Sequence, residues 1–333
     1  MHDIVLIPGD GIGPEITAAV TQILEAADTD INWIEHTAGL TAYEETGNPL
    51  PDETVEAIKK YRLALKGPLT TPVGAGFRSI NVALRKKFNL YSNIRPAKTL
   101  PHIEAPVDNV DMVIFRENTQ GLYIGQERWV DEKTHAESIA VVTREASDKI
   151  IRAAFNYARR NGRKKVTLVH KANILKMTSG LFLEVGREVA KDYDDIQFED
   201  LIVDNMAMQM VMRPEQFDIV VTTNLFGDIL SDLASGLVGG LGVTGAANIG
   251  DDCAMFEAVH GSAPDIAGQN KANPIALLFS ALMMLDHIGE SKKAEQIRNA
   301  VYEVLGDKAA CTPDIGGSGT TQTFADAVCK KLK

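Results

Sequence analysis

Short apolar runs along this chain alternate with longer stretches whose apolar positions recur every three to four residues, a pattern that predicts strands feeding helices. Residues 4–7 (Ile-Val-Leu-Ile) read as a short buried strand, and Pro8-Gly9-Asp10-Gly11-Ile12-Gly13-Pro14 as the tight turn after it. A helix follows over 14–27, with Pro14 suited to its first turn and Glu15 to its positive end. A strand near 32–36, a polar loop, a helix over 52–60 and a strand at 63–65 continue the series. Further along come strands at 112–115 and 138–143, a helix over 144–160, a strand at 165–169 and a helix over 179–191. Strands at 198–203 and 219–222 precede a helix at 230–237, which the glycines of 239–242 break. A turn-rich loop at 260–268 and helices over 274–286, 292–305 and 321–332 close the chain. The alternation indicates an α/β sheet with helices on its faces.

Pro96, Pro101 and Pro106 favour a crossing between domains near 98–107, and a second crossing is expected near 246–251. The chain would then form a discontinuous large domain (1–98 and 249–333) around an inserted small domain (99–248), with the site in the cleft between them.

Composition narrows the function. A net charge of −11, from 45 acidic and 34 basic residues, argues against broad binding to nucleic acid or an anionic membrane. No apolar run approaches the roughly 20 residues that span a bilayer. Cys253, Cys311 and Cys329 form neither a zinc signature nor a disulfide framework. With a start that runs straight into the 4–7 strand, they suggest a reducing cytoplasm.

Against this acidic background, Ser79, Asn81, Arg85, Arg95 and Arg116 crowd donors of the kind that bind a compact polyanion. Asn81 and Arg85 lie four apart, so a helix would put them on one face near its anion-favouring N-terminus. Asp228 and Asp232 are also four apart, and with Asp204 they offer hard oxygens suited to Mg²⁺ or Mn²⁺. Tyr123 and Lys171 are candidates for moving a proton if their surroundings tune them. His170 and His260 lack partners at zinc-ligand spacing, which leaves them structural or ligand-contact roles. Gly9-Asp10-Gly11-Ile12-Gly13 does not have the G-x-G-x-x-G spacing of the common dinucleotide fold, and no P-loop is present.

Taken in order, Pro8 to Glu15, Arg116-Glu117-Asn118, Lys171-Ala172-Asn173, the 224–232 stretch, the 260–268 loop and Asn273-Pro274 resemble the β-decarboxylating dehydrogenases. That family includes isocitrate, isopropylmalate, homoisocitrate and tartrate dehydrogenases, and the resemblance covers essentially the whole chain. It implies an α/β two-domain fold distinct from the Rossmann fold, with the small domain mediating dimerisation. The stretch Gly76-Phe77-Arg78-Ser79-Ile80-Asn81 looks like the substrate loop of isocitrate dehydrogenases. By resemblance, Ser79 and Asn81 contact the γ-carboxylate, Arg85, Arg95 and Arg116 hold carboxylates, and Asn173 also binds substrate.

The same resemblance implies Tyr123 and Lys171 as the acid–base pair and Asp204, Asp228 and Asp232 around the metal. Lys171 and Asp204 would come from the neighbouring subunit of a homodimer. Ile12, Thr71, His260, Gly261, Ser262, Ala263, Pro264, Asp265, Ile266 and Asn273 would hold the cofactor. Asp265 can accept from both ribose hydroxyls and would repel a 2′-phosphate, which favours NAD over NADP. The implied reaction is NAD-dependent oxidative decarboxylation of isocitrate to 2-oxoglutarate and CO₂. Homoisocitrate, isopropylmalate or tartrate activity, and a regulatory subunit of an NAD-linked complex, stay open as alternatives.

Overall fold

The computed structural model describes residues 1–70 and 79–333. From the N-terminus it runs β1 (His2–Ile7), α1 (Gly13–Ala26), β2 (Ile31–Glu35), α2 (Leu40–Thr46), α3 (Asp52–Tyr61) and β3 (Leu63–Lys66). Then come α4 (Ile80–Lys87), β4 (Ser92–Lys98), β5 (Asp111–Glu117), and a hairpin of β6 (Gly121–Asp131) and β7 (His135–Val141). The middle section holds α5 (Arg144–Arg160), β8 (Lys165–His170), α6 (Thr178–Val189), β9 (Gln197–Ile202) and α7 (Val203–Met212). It continues with β10 (Ile219–Thr222), α8 (Asn224–Leu237), β11 (Gly245–Ile249) and β12 (Ala254–Ala258). The helices α9 (Ile275–His287), α10 (Ser291–Val304) and α11 (Thr321–Leu332) complete the fold.

Among the described residues, ten strands form one sheet in the order β2-β1-β3-β12-β11-β4-β5-β10-β8-β9. The flanks are parallel, but β11 runs antiparallel to both β12 and β4, and β4 antiparallel to β5. This mixed centre differs from an all-parallel doubly wound sheet. The buried apolar side chains divide accordingly. One cluster packs β1, β3 and β12 against α1, α9, α10 and α11, and another packs β5, β8 and β10 against α5 and α6.

Local chemistry explains several boundaries. Thr143 caps α5 by accepting from the Ala146 N–H, and Thr320 with Thr323 forms a reciprocal cap on α11. Helix α9 is apolar on nearly every side and is correspondingly buried.

Some elements differ from the expected ones. The helix expected at 230 begins at Asn224, so Asp228 lies inside it and is not its cap. Strands β4 and β11 escape a hydrophobicity reading because they carry Asn93, Arg95 and Asn248 in buried positions, with Pro96 half-buried among them. β6 is exposed and mixes apolar and polar residues without a period-two alternation, which hides it, and the strand expected at 138–143 is β7, at His135–Val141. α2 falls in the stretch read as a polar loop, and α7 starts directly where β9 ends.

Candidate active site

Arg116 emerges near the end of β5, and α8 lies directly on it. A Cβ at Gly227 would come within 2.5 Å of the Arg116 Cγ, so this approach requires glycine. The guanidinium donates from Nε (2.9 Å) and Nη2 (2.7 Å) to the Asn224 Oδ1, and from Nη1 to the Asp228 Oδ1. Tyr123, on β6, donates its hydroxyl to the other Asp228 oxygen, and its ring lies 5.0 Å from the Arg116 guanidinium carbon.

One turn along α8, Arg95 donates to Ser231 Oγ (2.7 Å) and Asp232 Oδ1 (3.1 Å), with a second nitrogen 3.8 Å from Asp228. The 3.6-residue period thus brings both aspartates to Arg95.

Arg85, on α4, donates to Glu257 (3.1 Å), which also pairs with Lys66 at 2.6 Å. Lys66 and Glu257 face each other across β3 and β12 and are almost fully buried. Lys66, Asn81, Arg85, Arg95, Glu257 and His260 line a cleft of about 140 Å³. Three atoms among these residues, Arg85 Nε, Asn81 Oδ1 and His260 Nε2, are buried without a hydrogen-bond partner among the described residues. Unpaired buried polar groups are costly, and a polar ligand would satisfy them. A wider groove of about 560 Å³ between α10 and α11 carries mixed surface charge and none of these groups.

The electrostatics follow from crowding. Burial and the neighbouring Arg95 lower the Arg116 pKa to about 10, and burial and Arg85 lower that of Arg95. Burial alone would raise Asp228, but Arg116 and the Tyr123 hydroxyl hold it below the usual carboxylate range. Tyr123 is raised by burial and by its bond to Asp228, so it stays protonated. Glu257, despite complete burial, is held far below its ordinary value by Lys66 and Arg85.

Other expected site residues lie apart from this group. Lys171, just beyond β8, pairs with Asp204 at the start of α7, which keeps Asp204 ionised. Among the described residues, neither side chain has a hydrogen bond or ion pair to the Asp228 cluster. Asn173 is exposed in the turn after Lys171. Ser79 caps α4 at 3.5 Å from the Val82 nitrogen. His170 is buried, accepting from the Ala172 N–H (3.0 Å) with its other ring nitrogen 3.2 Å from Asp200.

The loop expected to hold a dinucleotide is pinned from two sides. The Ile12 N–H donates to Ser262 O (2.9 Å), and the Thr70 and Ser262 hydroxyls meet at 2.6 Å. A Cβ on Gly11 would come within 2.0 Å of the Ser262 carbonyl, so the turn and loop touch backbone to backbone. Ala263 adopts φ +39°, a strained left-handed conformation, and Pro264–Ile266 form a 3₁₀ turn presenting exposed Asp265. Gly261 is exposed, and the ring nitrogen His260 Nε2 is buried without a partner among the described residues. Asn273 is bound to Asp314 (3.0 Å) and to the Ile275 N–H (3.0 Å). Thr71 lies outside the described residues. Backbone groups held open beside an unpartnered ring nitrogen fit a dinucleotide.

Among the described residues, no three carboxylate, histidine or cysteine groups converge as a metal cage within one chain. Asp228 and Asp232 supply two hard oxygen donors beside Arg95, which lines the cleft, a set that fits a divalent cation shared with a bound ligand.

Lys66 and Glu257, which line the cleft, and Asn93 and Asn248, which bond to its lining residues, are not among the residues expected above. Their signal was a charged or amide residue inside an otherwise apolar strand, as in Leu63-Ala64-Leu65-Lys66 and Ala254-Met255-Phe256-Glu257-Ala258.

Residues 3–328 match the family model described as isocitrate/isopropylmalate dehydrogenase. The chain is 56% identical to a crystal structure of isocitrate dehydrogenase from Methylococcus capsulatus, covering 100% of this chain and 99% of that one, with a TM-score of 0.96. It is 49% identical to the isocitrate/homoisocitrate dehydrogenase of Thermus thermophilus, over 100% of this chain and 99% of the relative. It is 48% identical to the mitochondrial catalytic subunit 6 of NAD isocitrate dehydrogenase from Arabidopsis thaliana, over 98% of this chain and 87% of the relative. The mixed α/β sheet is therefore the fold of this family and not a Rossmann fold.

Mitochondrial names, on the Arabidopsis protein and on relatives from Caenorhabditis elegans, Drosophila melanogaster and Sus scrofa, overturn the cytoplasmic location expected above. Free thiols report a redox environment and do not identify a compartment.

Proposed function

The chain belongs to the isocitrate/isopropylmalate dehydrogenase family, and from that premise we infer that it is an NAD-dependent isocitrate dehydrogenase, yielding 2-oxoglutarate and CO₂. The observation that carries the reading is the cleft itself. Arg85 Nε and Asn81 Oδ1, buried and without a partner among the described residues, stand beside Arg95 and a pair of aspartates, a chemistry made for several carboxylates and a hard cation. An isopropyl group there would strand those polar atoms, which sets isopropylmalate apart by the penalty that polar sites impose on apolar analogues.

When bound, the divalent cation polarises substrate oxygens and NAD accepts the hydride. Asp228 and Asp232, with Asp204 from a second copy, would hold Mg²⁺ or Mn²⁺. Ile12, Thr71, His260 to Ile266 and Asn273 would hold NAD, with the Asp265 carboxylate facing the ribose hydroxyls and repelling a 2′-phosphate. Arg85, Arg95 and Arg116 clamp the carboxylates, and Ser79, Asn81 and Asn173 complete the recognition. Tyr123, protonated because burial and Asp228 raise its pKa, delivers a proton to the carbon that loses CO₂. Lys171 replenishes that proton.

The smallest complete unit is a homodimer in which Lys171 and Asp204 cross to the neighbouring Tyr123 and Asp228. Supporting this, Trp129, Val130 and Ile139 on the hairpin, Met208, Val211 and Met212 on α7, and Ile229 on α8 leave large apolar side chains exposed. The division into 1–98 with 249–333 and 99–248 belongs to the same proposal.

Mixing two inactive variants tests this arrangement. Lys171→Met and Tyr123→Phe subunits, unfolded together and refolded at equal amounts, should regain isocitrate-dependent NAD reduction at about a quarter of wild-type sites, since random pairing makes half the dimers hybrids with one intact site each. No recovery, with hybrid dimers present on native mass spectrometry, would overturn the shared site.

A further inference from the structure

Arg85 and Arg95 come from different elements, yet they are joined by a continuous buried chain of hydrogen bonds. The Arg85 guanidinium and the Asn248 amide both donate to Glu257 Oε1, at 3.1 and 2.8 Å. Asn248 Oδ1 accepts from Asn93 Nδ2 at 2.9 Å, and Asn93 Oδ1 accepts from Arg95 Nε at 2.8 Å. Asn118 donates to the same Asn248 oxygen, also at 2.9 Å.

The register explains the alignment. Asn248 lies directly opposite Asn93 across β11 and β4, and Asn93 lies opposite Arg116 across β4 and β5. Glu257 is opposite Ala246, two residues from Asn248 and so on the same face of the sheet. All three linking residues are at most 6% exposed. The Asn248 amide can adopt only one orientation, because its nitrogen faces two acceptors, Glu257 and the Met255 carbonyl, and its oxygen faces two donors.

We propose that Asn248 is a positioning residue: through Glu257 on one side and Asn93 on the other, it fixes the separation of the Arg85 and Arg95 guanidiniums, and with it the span between carboxylates that the substrate must present. This rests on the reading that these arginines hold substrate carboxylates. Asn248 itself does not line the cleft. Its influence passes through buried linking side chains, where a satisfied hydrogen bond is stiff and a broken one is costly.

A double-mutant cycle tests the assignment, with kcat and the KM values for isocitrate and NAD measured for wild type, Asn248→Ala, Arg95→Lys and the double variant. Asn248→Ala should raise the isocitrate KM about tenfold, with kcat and the NAD KM changing less than about threefold. In the Arg95→Lys background the same change should have a much smaller effect, because the link it severs no longer ends on a guanidinium.

Additive effects, or equal losses in both KM values, would overturn the proposal and leave Asn248 a structural amide. If Arg95→Lys alone leaves the isocitrate KM unchanged, the failure lies in the carboxylate-clamp reading and not in the relay alone. Asn93→Asp keeps the volume and the acceptor for Arg95 but sets oxygen against the Asn248 oxygen. It gives the same readout if Asn248→Ala does not fold.

Discussion

Tyr123→Phe should lower kcat by about 10²- to 10⁴-fold, the range for removing a positioned proton donor, with little change in the isocitrate KM. The hydroxyl is the only part of the side chain removed, and it contacts Asp228, not the cleft lined by Arg85 and Arg95. The ring remains over Arg116, so the guanidinium keeps its stacking surface. Loss of the bond frees one Asp228 oxygen without removing its charge, and Arg116 still holds the other. Steady-state kinetics read the split directly. A variant with near wild-type kcat would assign the proton to another group. A KM rise as large as the kcat loss would mean that the hydroxyl binds substrate.

The second large effect concerns stability. Glu257→Ala leaves Lys66 buried without its 2.6 Å partner and takes an anchor from Arg85, the kind of loss that costs about 3–5 kcal/mol. Glu257→Gln keeps the volume and gives a cleaner pH experiment. The folded-state pKa of Glu257 is depressed, so its charge stabilises the fold fully above the ordinary value of 4.5 and progressively less as pH falls below it. The difference in Tm between wild type and Glu257→Gln should be largest near neutral pH and narrow below about pH 4.5. A gap that stays constant from neutral to acid pH would show that the stabilisation does not depend on the carboxylate charge.

The α/β class was legible because flanking strands such as Ile4-Val5-Leu6-Ile7 and Ile219–Thr222 are continuous apolar runs, and α1 and α5 carry clear helical periodicity. The centre of the sheet was not. Strands β4 and β11 are built from small and polar residues whose burial depends on partners far away in sequence, so no local window reports it.

The site divides the same way. Arginines and aspartates announce themselves by residue type, and the four-residue spacing of Asp228 and Asp232 fixes their shared helix face. That Arg95 would touch Ser231 and Asp232, or that Arg116 would rest against Gly227, follows only from the packing of α8 on β4 and β5. Lys66 and Glu257 are invisible to the motif and clear to the sheet register, which sets them side by side on adjacent strands. A buried charge in an apolar run is the feature that would have found them.

Whether this cleft turns over isocitrate with NAD is read directly by the initial rate of the purified chain with Mn²⁺, comparing isocitrate with 3-isopropylmalate and NAD with NADP. The expected kcat/KM for isocitrate is at least about 10²-fold above that for isopropylmalate, since an alkyl group strands the buried polar wall, with a clear preference for NAD. A preference for isopropylmalate or for NADP, or no turnover by the purified chain with any pair, would contradict this expectation.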